Sequence, residues 1–404
     1  MNTKLRTNIG VLYIFSFFWV AMVVIPVMVP LFESKGLSLA EVFYLQSIFA
    51  LVVVILEIPS GYYADMFGRK QALVLGSLFH GLGFTWLFFA DGFVALVVFE
   101  TLVGIGLSLL SGADLSLLYD SQDALAMDPA EKTRGIANMR FIKSCGEGCA
   151  ALLASILVIY SLDAIVIANA LFAWCPLVLS LLLTEAPFTR MAQGQHVANL
   201  KQVVGHLMVS DRLLRLICLN ITFFSLMTFY VVWMLQPYWG AQGVPLALFG
   251  LLWAAQSFLF AIATRLTIPM EDRFGAVPVL VVMGALPVVG YLGMALTGGV
   301  LGVCLSFLFF ISRGINQVIL TDALNRRVPG AFRATANSMT SFMFRGVYIV
   351  TGPLVGYLIG AVGMQATLLV LCAVSALLFG TLLVPMLAAV RGMQSAALRS
   401  VTTE

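Results

Sequence analysis

An all-α membrane protein, with twelve transmembrane helices in two pseudo-symmetric six-helix halves, follows from three features of the sequence. First, 61% of the 404 residues are hydrophobic and only 10% are charged. A soluble domain carries about 25% charged residues, so most of this surface must face lipid. Second, twelve apolar runs recur along the chain, each long enough to cross about 30 Å of hydrocarbon as a helix. Ten-residue alternation, the mark of a membrane barrel, is absent. Third, one long polar break divides the runs six and six. The expected organisation is an N-terminal half over 1–185, a cytoplasmic linker over 186–211 and a C-terminal half over 212–404.

In order, the runs lie at about 8–32, 40–60, 72–90, 93–119, 136–160, 163–184, 212–239, 246–268, 277–297, 299–321, 335–361 and 364–390. The first follows Lys4 and Arg6. It is too long for a signal-peptide core and lacks a small-residue cleavage pattern, so it reads as the first span. Between the second and third runs stands Gly61-Tyr-Tyr-Ala-Asp65-Met-Phe-Gly68-Arg69-Lys70, which reads as a tight polar hairpin bracketed by two glycines. On the fourth, Gly104, Ser108 and Gly112 form a small-residue strip suited to close helix packing. On the seventh, Asn220, Phe223 and Phe224 sit too deep for the interfacial aromatic belt and are candidates to line a pocket. On the eleventh, Gly352, Gly356 and Gly360 with Pro353 predict close packing and a bend. His80, on the third, is expected to be a packed histidine.

The halves repeat each other. Arg134-Gly-Ile-Ala-Asn138 matches Arg333-Ala-Thr-Ala-Asn337, and Asp272-Arg-Phe-Gly275 echoes Asp65-Met-Phe-Gly68. Each of the first pair follows a proline, Pro129 or Pro329, and an aspartate ending the preceding span, Asp120 or Asp322. The cations give the orientation. Of 22 Lys and Arg residues, Arg313 and Arg345 fall inside spans, Lys35 lies at one face, and the rest gather at the other. Both termini and the Asp65 loop are therefore expected in the cytoplasm.

Charges inside a bilayer cost about 2.5–3.5 kcal/mol each on insertion scales, which makes them candidates for function. Here they are Glu100, Asp114, Glu147, Arg313 and Arg345. At about 100° per residue, Glu100, Ser111 and Asp114 share a face, and so do Arg140, Lys143 and Glu147. Counting inward from Asp120 and Arg134 pairs Asp114 with Arg140. A carboxylate that alternates between an arginine partner and a proton is the chemistry that proton coupling needs.

The other classes are poorly supported. The six cysteines sit in apolar runs without a CxxC pair, and Cys145 and Cys149 read as helix packing residues. His196 and His206 read as part of a solvated linker, so no metal site is expected. No basic patch interleaved with aromatics points to nucleic acid. No Walker-type loop points to ATP, no cofactor is expected, and no catalytic constellation points to an enzyme.

The Gly61–Lys70 pattern, placed between the second and third spans of a twelve-span chain, resembles the loop motif of the major facilitator superfamily. The resemblance extends over the whole chain. It implies two six-helix halves that rock about a central site. It implies that Gly61, Asp65, Gly68, Arg69, Lys70 and Asp120 form a cytoplasmic gate, with Asp65 capping the start of span eleven and Arg69 pairing with Asp120. It departs from the family at Glu100, where an arginine is usual, and the Gly-Pro pattern that marks antiporters on span five is missing. The overall look is similar to drug and metabolite efflux members. The resemblance thus implies a monomeric secondary transporter in a bacterial cytoplasmic membrane. Its expected work is proton-coupled export of a small amphiphilic or anionic molecule, with uptake of an organic anion or metal chelate as the alternative. A receptor or lipid flippase is a third reading.

Overall fold

The computed structural model describes residues 2–187, 211–328 and 333–401. The linker over residues 188–210, with His196 and His206, lies outside them. Among the described residues there are helices and no strands. The chain divides into two compact units. One comprises Met1–Ala192 with Val244–Ala254; the other comprises Gln193–Gly243 with Ala255–Glu404.

The first unit contains α1 (Asn2–Val20), α2 (Met28–Ser34), α3 (Leu39–Phe67), α4 (Arg69–Phe89), α5 (Gly92–Leu110), α6 (Ala113–Ala124), α7 (Pro129–Leu157) and α8 (Leu162–Leu182). Their starts are written in the sequence. Ser38 and Glu41 form a reciprocal capping box at α3. Asp128 accepts from the Glu131 N–H ahead of Pro129 at α7, and Ser161 accepts from the Ala164 N–H at α8. Helices α4 and α5 meet where a methyl group added at Gly76 would come 3.1 Å from the Gly106 carbonyl, and one at Gly106 would come 3.0 Å from the Gly76 carbonyl. Only a hydrogen at both Cα atoms permits that approach. Leu5, Leu12, Phe15, Leu73 and Leu117 fill the core around these contacts.

Span four departs from the expectation of one helix. Gly112 takes a left-handed conformation (φ 83°), and it separates α5 from α6. The Gly104–Ser108–Gly112 strip is thus a strip only through Ser108, with Gly104 closing against Val52 and Phe49 of α3.

The second unit contains α9 (Arg212–Ala241), α10 (Phe249–Phe274, entering the unit at Ala255), α11 (Ala276–Leu296), α12 (Gly299–Leu305), α13 (Leu308–Arg327), α14 (Arg333–Leu378) and α15 (Val384–Val401). Asp211 caps α9 by accepting from the Leu213 and Leu214 N–H groups. Leu214, Met283, Leu320, Leu324 and Leu383 centre its core. The backbone at Gly275 (φ 84°, ψ 161°) matches that at Gly68 (φ 106°, ψ 157°), so the echo read between the halves is also an echo in geometry. Helix α14 runs through Pro353, and its non-helical residue is Gly363 (φ 82°, ψ 170°) rather than the expected Gly352–Gly360 stretch.

Ten described helical stretches are long and apolar enough to cross a membrane. The last of them, Thr335–Gly392, is 58 residues long and contains the Gly363 break. Helix α7 is 29 residues long but carries Arg134, Arg140, Lys143 and Glu147 along its length, and it is not among the ten. Large apolar side chains such as Leu171, Phe258, Leu296 and Val350 are exposed, as a lipid-facing surface requires.

Candidate functional site

Within the second unit a cavity of about 290 Å³ opens between α9, α13 and α14. Helix α9 contributes Ile221, Ser225 and Phe229, spaced four apart on one face. Helix α13 contributes Arg313, Asn316, Gln317 and Thr321, again on one face, and α14 contributes Thr340, Ser341 and Phe344. Arg313 is the single charged residue in the lining. Its guanidinium carbon stands 6.0 Å from the Phe260 ring centroid of α10, a position that a planar, weakly hydrated cation tolerates well. The neighbouring Gly314 makes this approach possible, because a methyl there would come 2.9 Å from both the Phe260 carbonyl and the Ala263 side chain.

The walls are tied together by side chains. The Asn316 Nδ2 donates to the Ser225 Oγ at 3.1 Å, joining α13 to α9. Tyr230 and Thr351 share a 2.5 Å hydrogen bond, joining α9 to α14. The Phe229 ring meets those of Phe344 and Tyr348 edge to face, with centroids 5.3 and 5.0 Å away. Such contacts fix the aromatic wall without spending polar groups.

The expected pocket residues of span seven need correction. Asn220 is fully buried and donates to the Leu216 and Leu382 carbonyls at 2.8 and 3.1 Å. Phe224 is buried in the core, and Phe223 is not part of the lining. The cavity face is instead Ile221–Ser225–Phe229. One residue is about 100° around a helix, so a one-residue error replaces the pocket by the core. The stripe Arg313, Asn316, Gln317, Thr321 was the signal that would have located it.

In the first unit the intramembrane acids do not gather. Glu100 is 3% exposed, and its Oε1 accepts from the Gln46 Nε2 of α3 at 2.6 Å. Asp114 pairs with Lys143 of α7 at 2.6 Å, not with Arg140. The break at Gly112 starts a new helix just before Asp114, so counting along one continuous span misplaced it. Asp114 and Glu100 therefore serve different helix pairs rather than one face. Glu147 is exposed and lies one turn beyond Lys143 on α7. Arg345 is part-buried on α14 and does not line the cavity. His80 is buried with its ring edge-on to Trp19 and Phe84, as expected of a packed histidine.

The Gly61–Lys70 stretch is not a hairpin bracketed by two glycines. Helix α3 continues through Gly61 and Asp65 to Phe67, and the turn is the single residue Gly68. Arg69 opens α4 and reaches Asp65 at 2.6 Å and Asp120, at the limit of ion-pair range, at 4.0 Å. The anion at the α4 N-terminus is one the sequence reading missed. Glu185, beyond the end of α8, accepts from the Arg69 N–H at 2.9 Å and the Lys70 N–H at 2.8 Å, where orphan donors and the helix dipole favour a carboxylate. Burial pushes its pKa above the ordinary carboxylate value, while those two N–H groups and the Arg69 charge pull the other way. No local pattern announces a partner 116 residues away.

The family described as Major Facilitator Superfamily matches residues 10–353. The chain is similar to an uncharacterized MFS-type transporter, YxaM, of Bacillus subtilis (strain 168). The two are 22% identical over 363 residues, covering 85% of this chain and 87% of that one. Among solved structures it is similar to a D323A mutant of the nucleoside transporter NupG, with a TM-score of 0.79 and 14% identity over 94% of this chain and 99% of that one. A D-xylose-proton symporter gives a TM-score of 0.66 with 16% identity over 94% and 97% of the two chains. At these identities the solved structures speak for the fold alone.

Proposed function

The chain belongs to the major facilitator superfamily and is a transporter rather than an enzyme; on that premise we propose that it exports a small amphiphilic or anionic molecule in exchange for protons. The observation that carries this reading is the cavity between α9, α13 and α14, whose single charge is the Arg313 guanidinium. A guanidinium keeps its charge at any accessible pH, so it attracts an anionic group without itself carrying the coupling proton. The proton falls to a carboxyl. Glu147 is the leading candidate, with Glu100 and Asp114 next.

The mechanism is alternating access, with no ATP and no cofactor. Twelve crossings follow when Thr335–Gly392 counts as two, divided at Gly363, and α7 counts as one. In this reading, which the cation bias supports, both termini lie in the cytoplasm, the membrane is a bacterial cytoplasmic membrane, and the protein works as a monomer. The Asp65–Arg69–Asp120 cluster is the cytoplasmic gate.

A second reading, proton-coupled uptake of an organic anion or metal chelate, draws support from Arg313 and Arg345. Everted and right-side-out vesicles separate the two. Export predicts proton-driven accumulation in everted vesicles and none in right-side-out ones, and uptake predicts the reverse. Accumulation in neither, across a panel of organic anions, would reject both.

A further inference from the structure

Helix α7 has three faces. Gly135, Gly146 and Ala150 are buried, and a methyl at Gly146 would come 2.6 Å from the Phe17 carbonyl of α1. Phe141, Leu152 and Ile156 are exposed and apolar, as a face turned to lipid is. The third face is exposed and mostly polar: Thr133, Ala137, Arg140, Ser144 and Glu147. At about 100° per residue these fall within about 80° of one another. Their stripe stops at Ala151, which is buried where a methyl at Gly250 would run into its carbonyl.

Arg140 is left over on this stripe. Lys143 takes Asp114, the acid that counting along the spans assigned to Arg140. Among the described residues no ion pair or hydrogen bond occupies the Arg140 guanidinium or the Ser144 hydroxyl, and both residues are exposed. Arg140 stands about 16 Å from the Pro129 end of α7. A guanidinium turned to lipid inside a bilayer is costly, so in a membrane-crossing α7 the face that carries Arg140 meets water. Asp114 and Lys143 offset each other, which leaves the Arg140 charge uncompensated on its stretch of the stripe.

From this placement we infer that Arg140 and Ser144 form an anion-binding station on the aqueous face of α7, which takes the carboxylate of a small organic anion. The guanidinium supplies two parallel N–H donors to the carboxylate. The Ser144 hydroxyl, one helical turn on, supplies a third. The station rests on the anionic-substrate reading above and gives that substrate a contact outside the cavity between α9, α13 and α14.

The test uses purified full-length protein without its six native cysteines, in lipid nanodiscs, where reagents reach both sides of the membrane. Single cysteines replace Ala137 on the polar stripe or Phe141 on the apolar face. The reagents are two water-soluble methanethiosulfonates, one bearing a sulfonate and one a trimethylammonium group. Ala137→Cys should react with both, and Phe141→Cys at least about tenfold more slowly. Residues three apart on a helix stand about 6 Å from each other, and a unit charge at that distance in water favours an anion over a cation about tenfold. Arg140→Gln should therefore lower the sulfonate-to-ammonium rate ratio at Ala137→Cys about tenfold, and Arg140→Lys should keep most of it. Benzoate should slow the modification of Ala137→Cys while benzamide does not. That protection should vanish with Arg140→Gln and weaken with Ser144→Ala. Circular dichroism and melting check that each variant is folded; where Arg140→Gln is not, Arg140→Ala serves. Equal reactivity at the two cysteines, a rate ratio that ignores the loss of Arg140, or no protection by benzoate overturns the inference. The export reading is judged separately, because no gradient is present. Protection by benzoate without proton-driven flux in vesicles would keep the station and reject export coupling, whereas proton-driven anion flux without protection would keep export and reject the station.

Discussion

Replacing Gly68 by alanine should damage this protein far more than replacing Gly61, although both stand in the same motif. At Gly68 the backbone has φ 106° and ψ 157°, a region essentially reserved for glycine that costs other residues about 1–3 kcal/mol. The added Cβ would also come 2.6 Å from the Glu185 Oε2 and 2.8 Å from its Cδ. The carboxylate must then move and release the Arg69 and Lys70 N–H groups. Charge-assisted bonds of this kind are worth about 1.5–3 kcal/mol each, partly recovered when the carboxylate regains water. The sum for Gly68→Ala is about 2–5 kcal/mol of lost stability. At Gly61, within α3, an added methyl meets nothing within 4 Å, and alanine in place of a helical glycine gains about 0.5–1 kcal/mol. Thermal denaturation in detergent, followed by tryptophan fluorescence, compares the two. In a Glu185→Ala background the steric part of the Gly68→Ala penalty should disappear and the backbone part remain. Equal melting of Gly68→Ala and wild type, or equal losses at Gly61 and Gly68, would refute this account of the turn.

Lys143→Met should cost about 3 kcal/mol, the lower end for breaking a buried pair, because Lys143 keeps 30% of its side-chain exposure while Asp114 keeps 4%. The double variant Asp114→Asn, Lys143→Met should lose less than Lys143→Met alone, which the same melting assay checks. Glu185 binds its proton more tightly folded than unfolded, since burial raises its folded pKa above 4.5. Its contribution to stability is therefore complete below pH 4.5 and falls as pH rises through the raised value, so Glu185→Gln should flatten the melting-temperature profile above pH 4.5. An unchanged profile would show that Glu185 does not titrate there. In a background without the six native cysteines, Asp91→Cys, whose side chain is 84% exposed, should react with impermeant thiol reagents in intact cells. Asp123→Cys, 63% exposed, should not; labelling at Asp123 would invert the orientation.

What could be read from the sequence follows the physics of each signal. The helices were legible because burial in lipid demands long apolar runs, and their starts because Ser38, Asp128, Ser161 and Asp211 carry capping chemistry. The repeat was legible through short motifs, and Gly275 reproduces the Gly68 backbone. Arg313 stood out because a cation inside an apolar run is costly. Glycine was harder. Gly61, Gly68, Gly104 and Gly112 look alike in sequence, yet the first stays helical, the second makes the turn, the third packs against Val52 and the fourth breaks span four. Partners remote along the chain, such as Glu185 with Arg69 and Gln46 with Glu100, leave no local trace. The Asp114 pairing failed through the unseen break at Gly112. The pocket face of α9 failed through one residue of rotation.

The most direct measurement of the transport reading is proton movement in proteoliposomes. The protein is reconstituted with a pH-sensitive dye and, inside, an organic anion that the vesicle panel identifies as carried, then diluted into medium without that anion, and protein-free liposomes give the passive background. If the chain exchanges protons for an anionic molecule, substrate leaving the lumen brings protons in, and the lumen acidifies beyond the background. Glu147→Gln should abolish that signal while leaving exchange of the anion for itself intact. Alkalinisation beyond the background would mean symport and contradict export by proton exchange, and no protein-dependent change in either direction would contradict proton-coupled transport of this anion altogether.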